Sequence, residues 1–98
     1  MRFEWDDYKN AENIRRRSLD FADAHQVFQK PLLSVLDDRN DYGEDRWIGI
    51  GMLDNYRIVV IVFTELANDT IRIISMRKAL AHERQQYQQA FRDEFGPF

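Results

Sequence analysis

Arg72, Arg77 and Lys78 stand close together at the head of the stretch "RIISMRKALAHERQQY" (72–87). Arginine grips phosphate through two parallel hydrogen bonds from its planar fork, and lysine adds a mobile point charge. The pattern predicts a helix from about Lys78 to Glu94, which sets Arg77 and Lys78 where its N–H groups point outward. Cations there oppose the helix macrodipole, so a bound anion is the gain that would offset the cost. The plainer reading is a solvated helix start whose arginines make weak surface pairs. Glu83 and Arg84 interrupt the apolar stripe marked by Leu80 and Tyr87. Burying either charge alone is costly, so they pair with each other or face a cleft. Tyr87 would then stack on a base or pack into the core.

Lys9, Asn13, Arg16 and Arg17 fall at i, i+4, i+7 and i+8, which puts them on one helical face. Such a face suits RNA or an acidic partner, and a solvated face is the simple alternative. His25 and His82 have no partner at metal-ligand spacing. The acids from 37 to 45 do not fit a calcium loop, because Tyr42 stands where that loop turns on glycine. They read as a solvated hairpin tip. No Ser–His–Asp set, Walker loop or dinucleotide fingerprint is present, so neither a metal nor a cofactor is expected.

The elements that must hold these residues follow from capping and periodicity. "RFEW" (2–5) reads as a strand, and Asp6 caps a helix running to about Arg17. Asp20 caps a second helix, carrying Phe21, Ala24, Val27 and Phe28 on one side and ended by Pro31. "LLSVLD" (32–37) is a strand and "DRNDYGED" a polar turn. "RWIGIGML" (46–53) alternates, "DN" (54–55) has the chemistry of a two-residue hairpin turn, and "YRIVVIVFTE" is apolar throughout, as a central strand covered on both faces would be. "ANDT" leads into "TIRIISM" (70–76) and the last helix. The expected architecture is α+β: two N-terminal helices, an antiparallel sheet of three or four strands and a C-terminal helix. Residues 1–92 form one domain and 93–98 a short tail.

The chain has 98 residues, 32% of them charged, no cysteine and a net charge of −3. A disulfide framework and a thiolate metal site are excluded. Overall acidity argues against binding nucleic acid across the whole surface, so any polyanion site must be local. The first 30 residues carry six acids and six cations, residues 31–55 six acids and two arginines, and residues 56–98 six cations and five acids. The start, "MRFEWDDYKN", lacks the apolar run of a signal peptide, and "IVVIVF" is too short to span a bilayer. A soluble cytoplasmic protein is expected.

Taken together, "FEWDDYKNAENIRRRSLDF" with Phe3, Glu4, Trp5, Asp6, Lys9, Asn13 and Phe21, then "DYGEDRWIGIG" (41–51), the apolar strand ending in Thr64, and "RIISMRKALAHERQQY" resemble the BrnT toxin family over nearly the whole chain. That resemblance implies a RelE-like fold, ribonuclease activity that arrests translation, and neutralisation by a BrnA-like antitoxin. The ribbon-helix-helix domain of such an antitoxin binds the operon's DNA. The family usually carries a Lys-His pair where Arg16 and Arg17 stand here, and an arginine cannot replace a histidine as general acid or base. The expected site has Arg77, Arg72 and Arg46 on the scissile phosphate and Glu83 as candidate base. Lys78, Arg84, Lys9, Arg16, Arg17 and Tyr87 would contact RNA. The alternative is a non-catalytic module that only holds its antitoxin and assists operon repression.

Overall fold

A computed structural model describes residues 1–39 and 41–95. Its centre is β4 (Ile58–Leu66), whose continuous apolar run is explained by cover on both faces. Val59, Ile61 and Phe63 enter one core cluster with Leu19, Phe21, Ala24 and Val27, while Ile58 and Val60 enter a second with Ile50, Met52 and Tyr87. Around it stand β1 (Arg2–Trp5), β2 (Leu33–Asp37), β3 (Arg46–Met52) and β5 (Thr70–Lys78), in the order β1-β5-β4-β3-β2. The fold class is α+β as expected, but the sheet has five strands and is mixed. β1 runs parallel to β5, pairing Phe3 with Ile71 and Trp5 with Ile73. A strand followed by helices reaches its sheet by a crossover, so nothing forces it to be antiparallel.

One face of the sheet is covered by α1 (Asp7–Arg17) and a 3-10 helix (Phe21–Gln29). Asp6 caps α1 by accepting from the Lys9 N–H at 3.0 Å, and Arg15, Arg16 and Arg17 close its last turn, where cations favour the macrodipole. The second predicted helix is 3-10 rather than α. Phe21, Ala24 and Val27 recur every three residues, which matches three residues per turn, and all three are buried. It lies so close to β3 that a Cβ on Gly51 would meet that of Val27 at 2.8 Å.

The other face carries α2 (Ala81–Ala90), followed by a short α3 (Arg92–Phe95). The single helix expected from Lys78 to Glu94 therefore starts later and is broken. β5 continues through Lys78, and the Ala79 N–H still reaches the Ile58 carbonyl at 3.0 Å. The chain turns at Phe91, whose ring packs edge-on against Tyr87 with centroids 5.0 Å apart. Asn40 of the expected turn and residues 96–98 of the expected tail lie outside the described residues. Among the described residues, no helix is long and apolar enough to cross a membrane.

Asn13 fastens α1 to the sheet. It is buried, donates to the Leu19 carbonyl at 2.9 Å and accepts from the Met76 N–H of β5 at 3.4 Å. Replacing it with alanine leaves a buried donor and acceptor without partners, each worth about 1–3 kcal/mol. Asn13→Ala should therefore lose about 2 kcal/mol in urea unfolding. A loss below about 0.5 kcal/mol would show that water takes over both bonds.

Candidate functional site

At one end of the sheet, the C-terminal turn of α1, the start of β4 and the end of β5 converge. Arg16, Arg17, Ser18, Arg57, Arg77, Lys78 and Leu80 line an open cleft there. Five of these seven side chains are cationic and none is a carboxylate. Beside it, sharing Arg16 and Arg17, a second groove is lined by Tyr8, Lys9, Glu12, Asn13, Phe21, Ile74 and Ser75. The two cation groups recognised separately in the sequence, one on α1 and one near residue 77, thus form a single basic track. Arg57 also belongs to it. Nothing in the sequence singled it out, because a lone cation beside a hairpin turn reads as solvated and only the fold carries that turn to the ends of α1 and β5.

Arg77 and Lys78 are not at a helix N-terminus. They end a strand, opposite Val60 and Val59 of β4. Helix α2 begins at Ala81, and its Leu80 N–H is already satisfied by the Glu83 carboxylate at 2.7 Å. The macrodipole conflict therefore does not arise. Glu83 pairs with Arg77 rather than with Arg84: Nη1 and Nη2 of Arg77 each donate to one Glu83 oxygen at 2.8 Å. Arg77 Nη1 also donates to the Lys78 carbonyl at 3.2 Å. These bonds use the end of the guanidinium and leave its side edge, Nε–H with the second Nη2–H, without a partner among the described residues. Arg77 is thus clamped on one edge and open on the other.

The clamp sets the charge state of Glu83. The Arg77 guanidinium, helped by the Leu80 N–H, holds the carboxyl down to about 2 against the opposing effect of burial. Both oxygens are occupied and the group is ionised throughout the neutral range.

Other predicted residues are placed elsewhere. Arg72 faces Thr64, four residues along β4 from the partner of Arg77, a separation of about 13 Å. It makes an ion pair with Glu4 of β1 at 2.6 Å. Arg46 opens β3, its guanidinium 4.1 Å above the centre of the Tyr42 ring and Nε 3.6 Å from Glu44. Arg46 and Arg72 therefore do not converge with Arg77 on one phosphate. Arg84 is exposed and reaches back to the Ala79 carbonyl at 2.9 Å. Tyr87 is fully buried, donates to the Pro31 carbonyl at 2.8 Å and has no surface on which a base could stack. The hairpin tip is also less solvated than expected. Asp37 is buried, forked by Arg39 at 2.8 and 2.9 Å, and held at about 2 chiefly by that arginine.

The lowered pKa of Glu83 makes a prediction about acid stability. A carboxyl that titrates near 4.5 when unfolded and near 2 when folded stabilises fully above the first value. That contribution is lost as pH falls through the second. The stability difference between wild type and Glu83→Gln should therefore be constant above about pH 5 and shrink from about pH 4.5 towards 2. A difference independent of pH across that range would show that the carboxylate charge contributes nothing.

The family model described as the ribonuclease toxin, BrnT, of type II toxin–antitoxin systems matches residues 5–83, which include every residue lining the cleft. The crystal structure of the Brucella abortus ribonuclease toxin, BrnT, is similar to this fold with a TM-score of 0.62 at 27% sequence identity. The likeness covers 82% of this chain and 97% of that one. No curated protein matches the chain. A match over this span, with the same α+β arrangement, means that the chain belongs to the BrnT family of type II toxin–antitoxin ribonuclease toxins.

Proposed function

We propose that the chain is an endoribonuclease toxin that cuts RNA without a metal ion and so inhibits translation, and that a cognate antitoxin silences it. The observation that carries this reading is a cleft with five cations and no carboxylate on a chain of net charge −3. Local positive charge on an acidic protein marks one place for a polyanion, and the family supplies RNA as that polyanion.

In this reading Arg77 takes the scissile phosphate on its open edge while Glu83 holds the other edge still. Donors fixed before the reaction stabilise growing phosphate charge without reorganising. Glu83 is a positioning residue rather than the base, because a carboxylate held near 2 accepts a proton poorly at neutral pH. Lys78, Arg57, Arg16, Arg17 and Lys9 hold the flanking backbone. Arg72 and Arg46 meet RNA further along the sheet, and Arg84 lies outside the track. The nucleophile is the ribose 2′-hydroxyl. Its oxygen bonds to phosphorus as its proton passes to solvent, the bond to the 5′-oxygen breaks, and that oxygen takes a proton. The products are a 2′,3′-cyclic phosphate and a 5′-hydroxyl. Among the described residues no group of three or more His, Asp or Glu could hold a metal ion, which supports this route over a two-metal one.

The partner would be a BrnA-like antitoxin whose acidic, partly apolar segment folds over the basic track, with a ribbon-helix-helix domain tying the complex to operator DNA. A second reading, a module that binds antitoxin without cleaving, is favoured by Arg17 at the family's histidine position and by the lack of a neutral base among the residues lining the cleft.

Purified chain with a labelled RNA decides between them. Cleavage should persist in excess EDTA and stop with 2′-deoxy substitution at the scissile nucleotide. Arg77→Lys should lower the rate about 100-fold, the cost of removing one oriented donor to a charged transition state. The rate should also keep rising from pH 6 to 9, since no group in the cleft serves as a neutral base. Loss of activity in EDTA with recovery in magnesium would contradict the metal-free route. A plateau with a midpoint near 6.5 would indicate a histidine base. No cleavage of any RNA, with antitoxin binding intact, would select the second reading.

A further inference from the structure

The turn between β3 and β4 carries an anomaly that packing does not explain. Leu53 N–H donates to the Arg57 carbonyl at 2.9 Å and Tyr56 N–H donates to the Leu53 carbonyl at 3.0 Å. Those two bonds define a three-residue hairpin loop, 54–56, in place of the expected two-residue turn; its last position is left-handed, and glycine is the residue normally found there. Here that residue is Tyr56, with φ +67°. A bulky side chain at positive φ is strained, and its persistence needs surroundings that hold it. The turn is held: Asp54 pairs with Lys30, its N–H donates to Gln26 Oε1 at 3.0 Å, and the Arg57 N–H donates to Asn55 at 3.0 Å. Yet the Tyr56 ring gains no burial in return, being 81% exposed. Strain and exposed aromatic surface at one residue, next in sequence to the cleft residue Arg57, point outward to a ligand.

A second exposed tyrosine lines the basic track itself. Tyr8 on α1 is 76% exposed and lines the groove that holds Lys9, Arg16 and Arg17. Both grooves share Arg16 and Arg17, so one run of cations has Tyr8 in its lining and Tyr56 next in sequence to the cleft residue Arg57. Cations alone would suit a duplex as well as a single strand. Exposed aromatic faces beside them suit bases that have left their stack.

We infer that Tyr8 and Tyr56 are base-stacking residues and that the track takes single-stranded RNA, with unstacked bases beside the bound phosphates. This rests on the proposed RNA-cleaving function and names its substrate class. The alternative occupant of the same surface is an acidic, partly apolar protein segment, whose binding rather than that of RNA would then depend on the two tyrosines.

Binding of a fluorescent, non-cleavable 2′-O-methyl oligonucleotide, single-stranded or annealed to its complement, tests the inference on the full chain. Tyr8→Ala and Tyr56→Asn should each weaken single-strand binding roughly tenfold, within the range of one lost stacking contact. Tyr8→Phe and Tyr56→Phe should bind as wild type. Duplex should bind more weakly than single strand and respond to neither tyrosine. Because asparagine tolerates positive φ, Tyr56→Asn should hold or raise the thermal midpoint, so lost binding cannot be ascribed to unfolding. Single-strand affinity unchanged in both non-aromatic variants overturns the inference while leaving the proposed function standing. So does a loss confined to the antitoxin. Wild type that binds no RNA removes the proposed function and this inference together.

Discussion

The basic track exists because Asn13 is buried between α1 and β5. Its side chain spans 63 residues of sequence to meet the Met76 N–H and also closes the chain reversal at Leu19. A buried amide must satisfy both its donor and its acceptor, and this docking of the helix does so. That docking carries the last turn of α1, with Arg16 and Arg17, to the end of β5, where Arg77 and Lys78 emerge. Gathering like charges costs Coulomb energy, and each pair is tolerated because it is screened at an open, wet surface. The same openness leaves the cations available to a ligand.

Within the track the cations are not equivalent. Arg57, Arg17 and Lys78 carry no ion pair among the described residues, and Arg16 has only a long contact to Glu12 at 3.5 Å. Arg77 is committed on two donors to Glu83 and therefore has a fixed orientation. Loosely held cations suit a backbone that must enter, shift and leave. An arginine whose rotamer is settled beforehand suits the one place where charge changes during reaction. The division is physical: long free side chains lose entropy on binding, whereas Arg77 has already lost it in folding.

Much of this was legible in the sequence and some was not, for identifiable reasons. The strands, the cap at Asp6 and the break at Pro31 follow from local chemistry, and each was found within a residue or two. The two cation groups were visible as patterns. Their convergence was not, since it depends on a buried amide acting across the chain. The sequence places the start of α2 too early because "RKALAHE" has helical composition throughout, while the ladder bond from Ala79 to Ile58 keeps the first residues in the sheet. β5 also contains an irregularity: Val62 faces Ser75 but Phe63 faces Ile73, so Ile74 is an extra residue. Arg72 and Arg77 are an odd number of residues apart yet face Thr64 and Val60, which share a side of β4. No count of alternating residues could have shown that. Arg57 and Tyr56 carry no signal in the sequence because their meaning lies in a turn geometry, and Tyr56 breaks the rule by which such a turn is recognised.

In the proposed function, cations from the last turn of α1, the start of β4 and the end of β5 act on one strand of RNA at once. The salt dependence of single-strand binding measures this directly, because each neutralised phosphate releases counterions. Five cations acting together predict that log affinity falls against log salt concentration with a slope of about −3.5, at roughly −0.7 per phosphate for a single strand. A slope shallower than about −1.5 would mean that no more than two cations engage the strand, and the single track would be contradicted.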